Sequence, residues 1–134
     1  MINSKLKGNR GERTVAAKLR EALPELADQI KRGWQARLGS DSCDVAGLPG
    51  FWIECKSGKR PDLRKAIEQA KRDAQGRAWP LAVVQDDYAK DRLVVLHLSA
   101  FLRIMRSAYG FLPPLKFMVQ QDLFDQSTGA PEDG

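Results

Sequence analysis

Glu12, Asp44, Glu54 and Lys56 are the residues of this 134-residue chain whose types and order fit one piece of chemistry, the metal-assisted hydrolysis of a phosphodiester. That reaction needs a divalent ion to polarise the phosphorus, acidic oxygens to hold the ion, and a group that orients or deprotonates the attacking water. Mg²⁺ prefers oxygen ligands and keeps several of its waters, so two carboxylates and one backbone carbonyl are enough protein. Asp44 and Glu54 supply the carboxylates and Cys55 the carbonyl, with Mn²⁺ able to substitute. Lys56 is placed to bind the water or the scissile phosphate as a point charge, and Glu12 completes the shell directly or through water. Each residue also has a plainer reading: a Glu54–Lys56 salt bridge on an exposed strand, an Asx turn at Asp44, and a first-turn Glu12 favoured by the helix dipole. Their company favours the metal site, because Asp44 lies ten residues before Glu54 across a Pro-Gly turn and a basic segment follows.

The elements that must position these residues are readable from periodicity. Val15, Ala16, Leu19, Leu23 and Leu26 recur at spacings of three and four, predicting an amphipathic helix over 7–26. One step back along that stripe is Glu12, whose carboxylate would then point at the body of the protein. Residues 33–38 alternate weakly and are predicted as a strand, 43–46 as a short strand headed by Asp44, and 48–50 as a tight turn. The clearest strand is 51–56, with Phe51, Ile53 and Cys55 on one face and Trp52, Glu54 and Lys56 on the other. Pro61 or Asp62 opens a second helix whose buried stripe is Leu63, Ala66, Ile67, Ala70 and Ala74, ending near Gly76. The runs 80–85 and 93–98 read as a hairpin or two neighbouring strands, after which Ser99 caps a third helix through Phe101, Leu102, Ile104 and Met105. The sum is an α/β domain over 1–117, a mixed central sheet flanked by helices. Residues 118–134 form a C-terminal peptide and disordered tail.

Charge sharpens the expectation. The net charge is +5, but residues 1–72 hold 16 basic and 9 acidic residues whereas 73–134 hold 6 and 8. A basic half points to a polyanion, most simply nucleic acid, although a solvated basic face is the ordinary alternative. Mean hydropathy is −0.43 with 43% hydrophobic residues, which argues against wholesale disorder. No apolar run approaches the length needed to cross a bilayer. The opening MINSKLKGNRGER has no apolar leader core, so no signal peptide and a cytoplasmic setting are expected. Two cysteines and one histidine predict reduced thiols and no zinc cage.

Four segments together carry a family resemblance: Lys7-Gly8-Asn9-Arg10-Gly11-Glu12-Arg13, Arg37-Leu38-Gly39-Ser40, Cys43-Asp44-Val45-Ala46-Gly47 and Ile53-Glu54-Cys55-Lys56-Ser57. In order and spacing the chain resembles, over about residues 5–100, the Holliday-junction resolvases of archaeal and phage type within the PD-(D/E)XK nuclease superfamily. The resemblance implies a restriction-endonuclease-like sheet, a Mg²⁺ site and catalytic centre at Glu12, Asp44, Glu54 and Lys56, and a homodimer that cuts opposed strands of a four-way DNA junction. A serine near the first strand contributes in that family, and Ser40 and Ser42 are both candidates here. Cys43 stands where the motif has Pro, and the turn between Asp44 and Glu54 is short. Gln69 resembles a glutamine of several superfamily branches, exonucleases included, which keeps an end-processing or restriction-type nuclease open. The residues expected to grip DNA are Lys7, Arg10, Arg13, Arg37, Ser40, Ser42, Lys59, Arg60, Arg64, Lys65, Gln69 and Arg72.

Near the C-terminus, Gln120-Gln121-Asp122-Leu123-Phe124 resembles the peptide by which bacterial replication and repair proteins dock on the sliding clamp. Leu123 and Phe124 would anchor in an apolar pocket and Gln120 would fix register; packing of the same residues on the body of the protein is the alternative. A clamp-tethered DNA-binding adaptor without catalysis is therefore a third reading. Of the tryptophans, Trp34 and Trp79 suit a core, while Trp52, sharing the face of Glu54, is the candidate for base stacking. His97, in an apolar run, is expected to be structural.

Overall fold

The computed structural model describes residues 4–33 and 43–113. Helix α1 (Ser4–Ala22) stops where Pro24 denies the backbone a donor, and a 3₁₀ turn (Pro24–Leu26) completes the apolar stripe expected of one longer helix. Strands β1 (Lys31–Arg32), β2 (Val45–Ala46) and β3 (Phe51–Gly58) follow, then helix α2 (Leu63–Ala74), strands β4 (Trp79–Asp86) and β5 (Leu93–Val95), and helix α3 (Leu98–Ala108). The strands form one sheet in the order β1-β2-β3-β4-β5. All neighbours are antiparallel except β3 and β4, which run parallel, with α2 as the crossover between them. The chain is thus a mixed α/β domain, and among the described residues no helix is long and apolar enough to cross a membrane.

Strand β3 is where the expected alternation holds. Ile53 packs with Val15, Ala16, Ile30, Val45 and Val83 beneath α1, and Phe51 and Cys55 lie against the same cluster. Trp52 packs on the opposite face with Cys43, Ala66, Ile67, Ala70, Ala74, Ala82 and Val84 beneath α2. Alanine at three of the buried α2 positions lets that helix lie close on the sheet. Asp62 caps α2, its carboxylate accepting from the Lys65 backbone N–H at 3.0 Å, and Gln75 ends it at φ 51°.

Several expectations shift. Leu63 is exposed instead of buried, because it sits in the first turn of α2 on a cleft shared with Val84 and Leu93. The first strand covers Lys31–Arg32, and residues 34–38, Trp34 among them, lie outside the described residues. The hairpin β4–β5 is confirmed, but its second strand stops at Val95. His97 consequently leaves the sheet and takes the N-cap position of α3, with no side-chain cap bond, and Ser99 falls within the first turn. Helix α3 buries Ala100 and Arg103, whereas Phe101 and Leu102 are exposed.

One glycine is required outright. Gly47 follows β2 at φ 99°, and a Cβ there would stand 1.9 Å from the Gln29 carbonyl oxygen, whose own side chain donates to Gly47 O at 2.8 Å. Gly47→Ala is therefore expected to cost on the order of 3 kcal/mol or more by urea denaturation. Gly110→Ala, at φ 81° but with nothing within 4 Å of the new Cβ, should cost about 1 kcal/mol.

Candidate active site

The β2–β3 hairpin brings the two central acids together. Val45 pairs with Ile53, the Asp44 backbone N–H donates to Ile53 O at 2.9 Å, and the Asp44 carboxylate reaches the Cys55 backbone, so Asp44 is held beside the segment that carries Glu54. Asp44 stands one residue before β2 and not within it, held because its Oδ2 accepts the Cys55 backbone N–H at 2.8 Å. Glu54 is 5% exposed on the α2 face of β3. Its Oε2 accepts the indole N–H of Trp52 at 3.2 Å. Lys56, next along that face, is exposed. Trp52 is thereby corrected from a base-stacking platform to a buried residue that orients Glu54, with the Arg77 guanidinium 4.9 Å from its ring centroid. Trp79 is buried as expected.

Withdrawing these carboxylates from water opposes their charge. Burial pushes Glu54 up to about 7, reinforced by the negative charges of Asp44 and Asp73 and opposed by the Trp52 hydrogen bond and Lys56. Burial likewise raises Asp44, against the Cys55 backbone N–H and Lys56, with Asp73 adding to the rise. Glu12 is raised by burial and by Asp44, while Arg32 opposes the rise. Burial and the three acids together also raise the Cys55 thiol. Cys43 and Cys55 are free thiols, and the Cys43 thiol donates to Val45 O at 3.1 Å.

Glu12 is placed differently from its companions. Helix α1 covers the Ile53 face of the sheet, and there Arg32 Nε stands 3.4 Å from Glu12 Oε1. Asp44, at the end of the hairpin, acts electrostatically on both Glu12 and Glu54. Among the described residues no group of three or more His, Cys, Asp or Glu side chains stands ready to hold a metal ion. The set that remains is the smaller one, the Asp44 and Glu54 carboxylates with the Cys55 carbonyl. Its chemistry fits Mg²⁺: hard oxygen donors whose desolvated negative charge, only partly offset by Lys56, a divalent cation would relieve.

The cations expected to meet DNA are mostly where a polyanion can reach them. Arg10, Arg13, Lys59, Arg60, Arg64, Lys65 and Arg72 are exposed, and Gln69 is half-buried on α2. Arg60 borders a cleft of about 430 Å³ between the start of α2 and the β4–β5 turn, and none of the candidate acids lines it. The Lys7 side chain, Arg37, Ser40, Ser42, Gln120, Leu123 and Phe124 lie outside the described residues. Two participants went unseen in the sequence. Arg32, 4% exposed, is far from Glu12 along the chain and carries no motif. Asp73 was findable, since it follows Gln69 by four positions and so shares its side of α2. No match to the chain is found among family models, curated proteins or solved structures.

An acid whose pKa is raised on folding favours the fold when protonated, and that contribution fades as pH climbs from its ordinary value through the raised one. For Glu54 the window runs from 4.5 to about 7, and Asp44 and Glu12 act in the same direction. Protein freed of divalent ions should therefore melt higher at pH 5.5 than at pH 8, by a few degrees on the scale of about 4–8 °C per kcal/mol for a small domain. Glu54→Gln keeps an acceptor for Trp52 and should remove much of that difference by raising Tm at pH 8. Were Glu54 instead stabilising the fold through a salt bridge to Lys56, the same variant would lower Tm.

Proposed function

We propose that the chain is a Mg²⁺-dependent, structure-selective endodeoxyribonuclease of restriction-endonuclease-like architecture, resolving four-way DNA junctions by paired phosphodiester hydrolysis. The observation that supports this reading best is the nearness of Asp44 and Glu54 at the β2–β3 hairpin, where Asp44 accepts the backbone N–H of Cys55 and its charge acts on Glu54, both acids being drawn out of water, with an exposed Lys56 following on the face of Glu54. A structural ion pair does not require burying one carboxylate beside another; a cation-binding site does.

In this reading Asp44 and Glu54, with the Cys55 carbonyl, hold the metal. The bound ion supplies Lewis acidity toward the phosphate and acidifies the attacking water. Trp52 keeps the Glu54 carboxylate turned by donating to its Oε2. Lys56 lies exposed, where it orients the water or neutralises the scissile phosphate. Glu12 feels the negative charge of Asp44 and is itself balanced by Arg32, which leaves it beside the metal site and not within it. Arg10, Arg13, Lys59, Arg60, Arg64, Lys65 and Arg72 would hold the backbone on either side of the cut.

The test is cleavage of a four-way junction, a fork, a linear duplex and a single strand, with and without Mg²⁺. Asp44→Asn and Lys56→Ala should each lower junction cutting by at least about 10²-fold while junction binding persists. Undiminished cutting by both variants would remove the centre assigned here. Equal cutting of junction and linear duplex would reassign the chain to an end-processing or restriction-type nuclease. Binding without cutting in Mg²⁺ or Mn²⁺ would make it an adaptor.

A further inference from the structure

Arg77 stands outside both the proposed centre and the residues expected to grip DNA, yet its contacts lead to Glu54. The chain reverses after α2 through two left-handed residues, Gln75 at φ 51° and Gly76 at φ 72°. The reversal closes with the Arg77 backbone N–H donating to Ala74 O at 2.9 Å. Its side chain then runs back to the last turn of the helix, where Nε donates to Ala74 O and Nη2 to Asp73 O, both at 3.0 Å. Carbonyls at that end carry the negative pole of the helix, so a guanidinium is held there by charge as well as by hydrogen bonds. Ala78, the next residue, packs against the cluster beneath α2 that contains Trp52 and fixes the backbone on the other side.

What the moored guanidinium covers is Trp52. It lies over the ring, 4.9 Å from the centroid, and the tryptophan is buried while Arg77 itself is exposed. The indole N–H of that ring donates to Glu54 Oε2 at 3.2 Å. Arg77, Trp52 and Glu54 therefore form one line of contacts, a cation on a ring face and the ring's own N–H on a carboxylate. A cation over an indole face draws electron density from the ring, which makes the N–H more positive and a stronger donor. Such mutual polarisation counts for most where water is excluded. Capping α2 would need only the two carbonyl bonds, and sealing the ring would need only an apolar chain; the line to Glu54 uses the charge as well.

We propose that Arg77 is a positioning residue for Glu54: its charge, set on the Trp52 ring, strengthens and directs the indole bond that fixes the Glu54 carboxylate. Outer groups that orient a ligand in this way govern how tightly a metal is held. The orientation of Glu54 stands by itself, whereas its consequence for a bound cation rests on the reading of Asp44 and Glu54 as metal ligands.

Nitrogen–proton correlation spectra of the full chain follow the Trp52 indole directly, with Trp52→Phe identifying its cross-peak among the three tryptophans. Arg77→Met keeps a long apolar cover and loses the charge, whereas Arg77→Lys keeps the charge and loses the planar fork. In Arg77→Met the indole proton should move upfield, toward its position in Glu54→Gln, and in Arg77→Lys it should stay near wild type, with far-UV circular dichroism unchanged in both. Lys71→Gln, which removes an exposed cation elsewhere on α2, should leave it in place. Affinity for Mn²⁺, read from the paramagnetic resonance signal of the free ion, should fall about 10-fold in Arg77→Met and less than about threefold in Arg77→Lys. An indole proton that stays in place in Arg77→Met, or moves as far in Arg77→Lys, overturns the proposal. So does an unchanged Mn²⁺ affinity in Arg77→Met when the wild-type chain binds the ion. A responsive indole in a chain that binds no Mn²⁺ bears out the positioning by Arg77 and removes the metal centre instead.

Discussion

Strand β3 is paired on both edges, with β2 and β4, and covered on both faces, by α1 and α2. A strand enclosed in this way ordinarily carries apolar residues alone, because each polar group it holds must be satisfied without bulk water. Here it carries Glu54. The carboxylate survives because Trp52, two residues earlier on the same face, turns its indole N–H to it. The raised affinity of Glu54 for a proton, the field it shares with Asp44 and the fit of the pair to a small hard cation all descend from that enclosure.

The same enclosure explains why the proposed centre has two sides. Residues that reach it from α2, such as Asp73, raise its negative charge directly. Those from α1 meet it only around the end of the hairpin, through Asp44, and Glu12 is balanced there by Arg32. A site built of buried acids gains from a positive charge, and exposed Lys56 supplies one that lowers the proton affinity of both Asp44 and Glu54. The net charge of +5 conceals a buried pair of acids in a chain whose exposed residues include many arginines and lysines.

Much of the arrangement was legible where one residue type can do only one thing at one period. The two-residue alternation of 51–56 placed Trp52 with Glu54 and Ile53 with Cys55, and the Asp62 cap and alanine stripe of α2 were visible in the same way. Periodicity states which residues share a face but not which face is covered. That is why Trp52, offered as a base-stacking residue, is buried. Turn chemistry misled at Ser99, since β5 ends three residues earlier than its apolar run and the cap passes to His97. The Glu12–Arg32 pair joins segments that no local rule connects.

The crossover through α2 also orders the events by which the proposed centre comes into being. Asp44 and Glu54 are joined by a short turn, a contact between near neighbours in the chain that forms quickly. The enclosure is different, because the strand neighbour that Glu54 gains on its other side is Ala82, reached only after α2 has been laid down and β4 has docked in parallel register. A chain caught between these events holds both acids side by side yet fully hydrated, with the proton affinity of ordinary carboxylates. The pair is assembled by a local closure and tuned by a distant one, so the poise of the site is acquired only when the domain has finished folding around it.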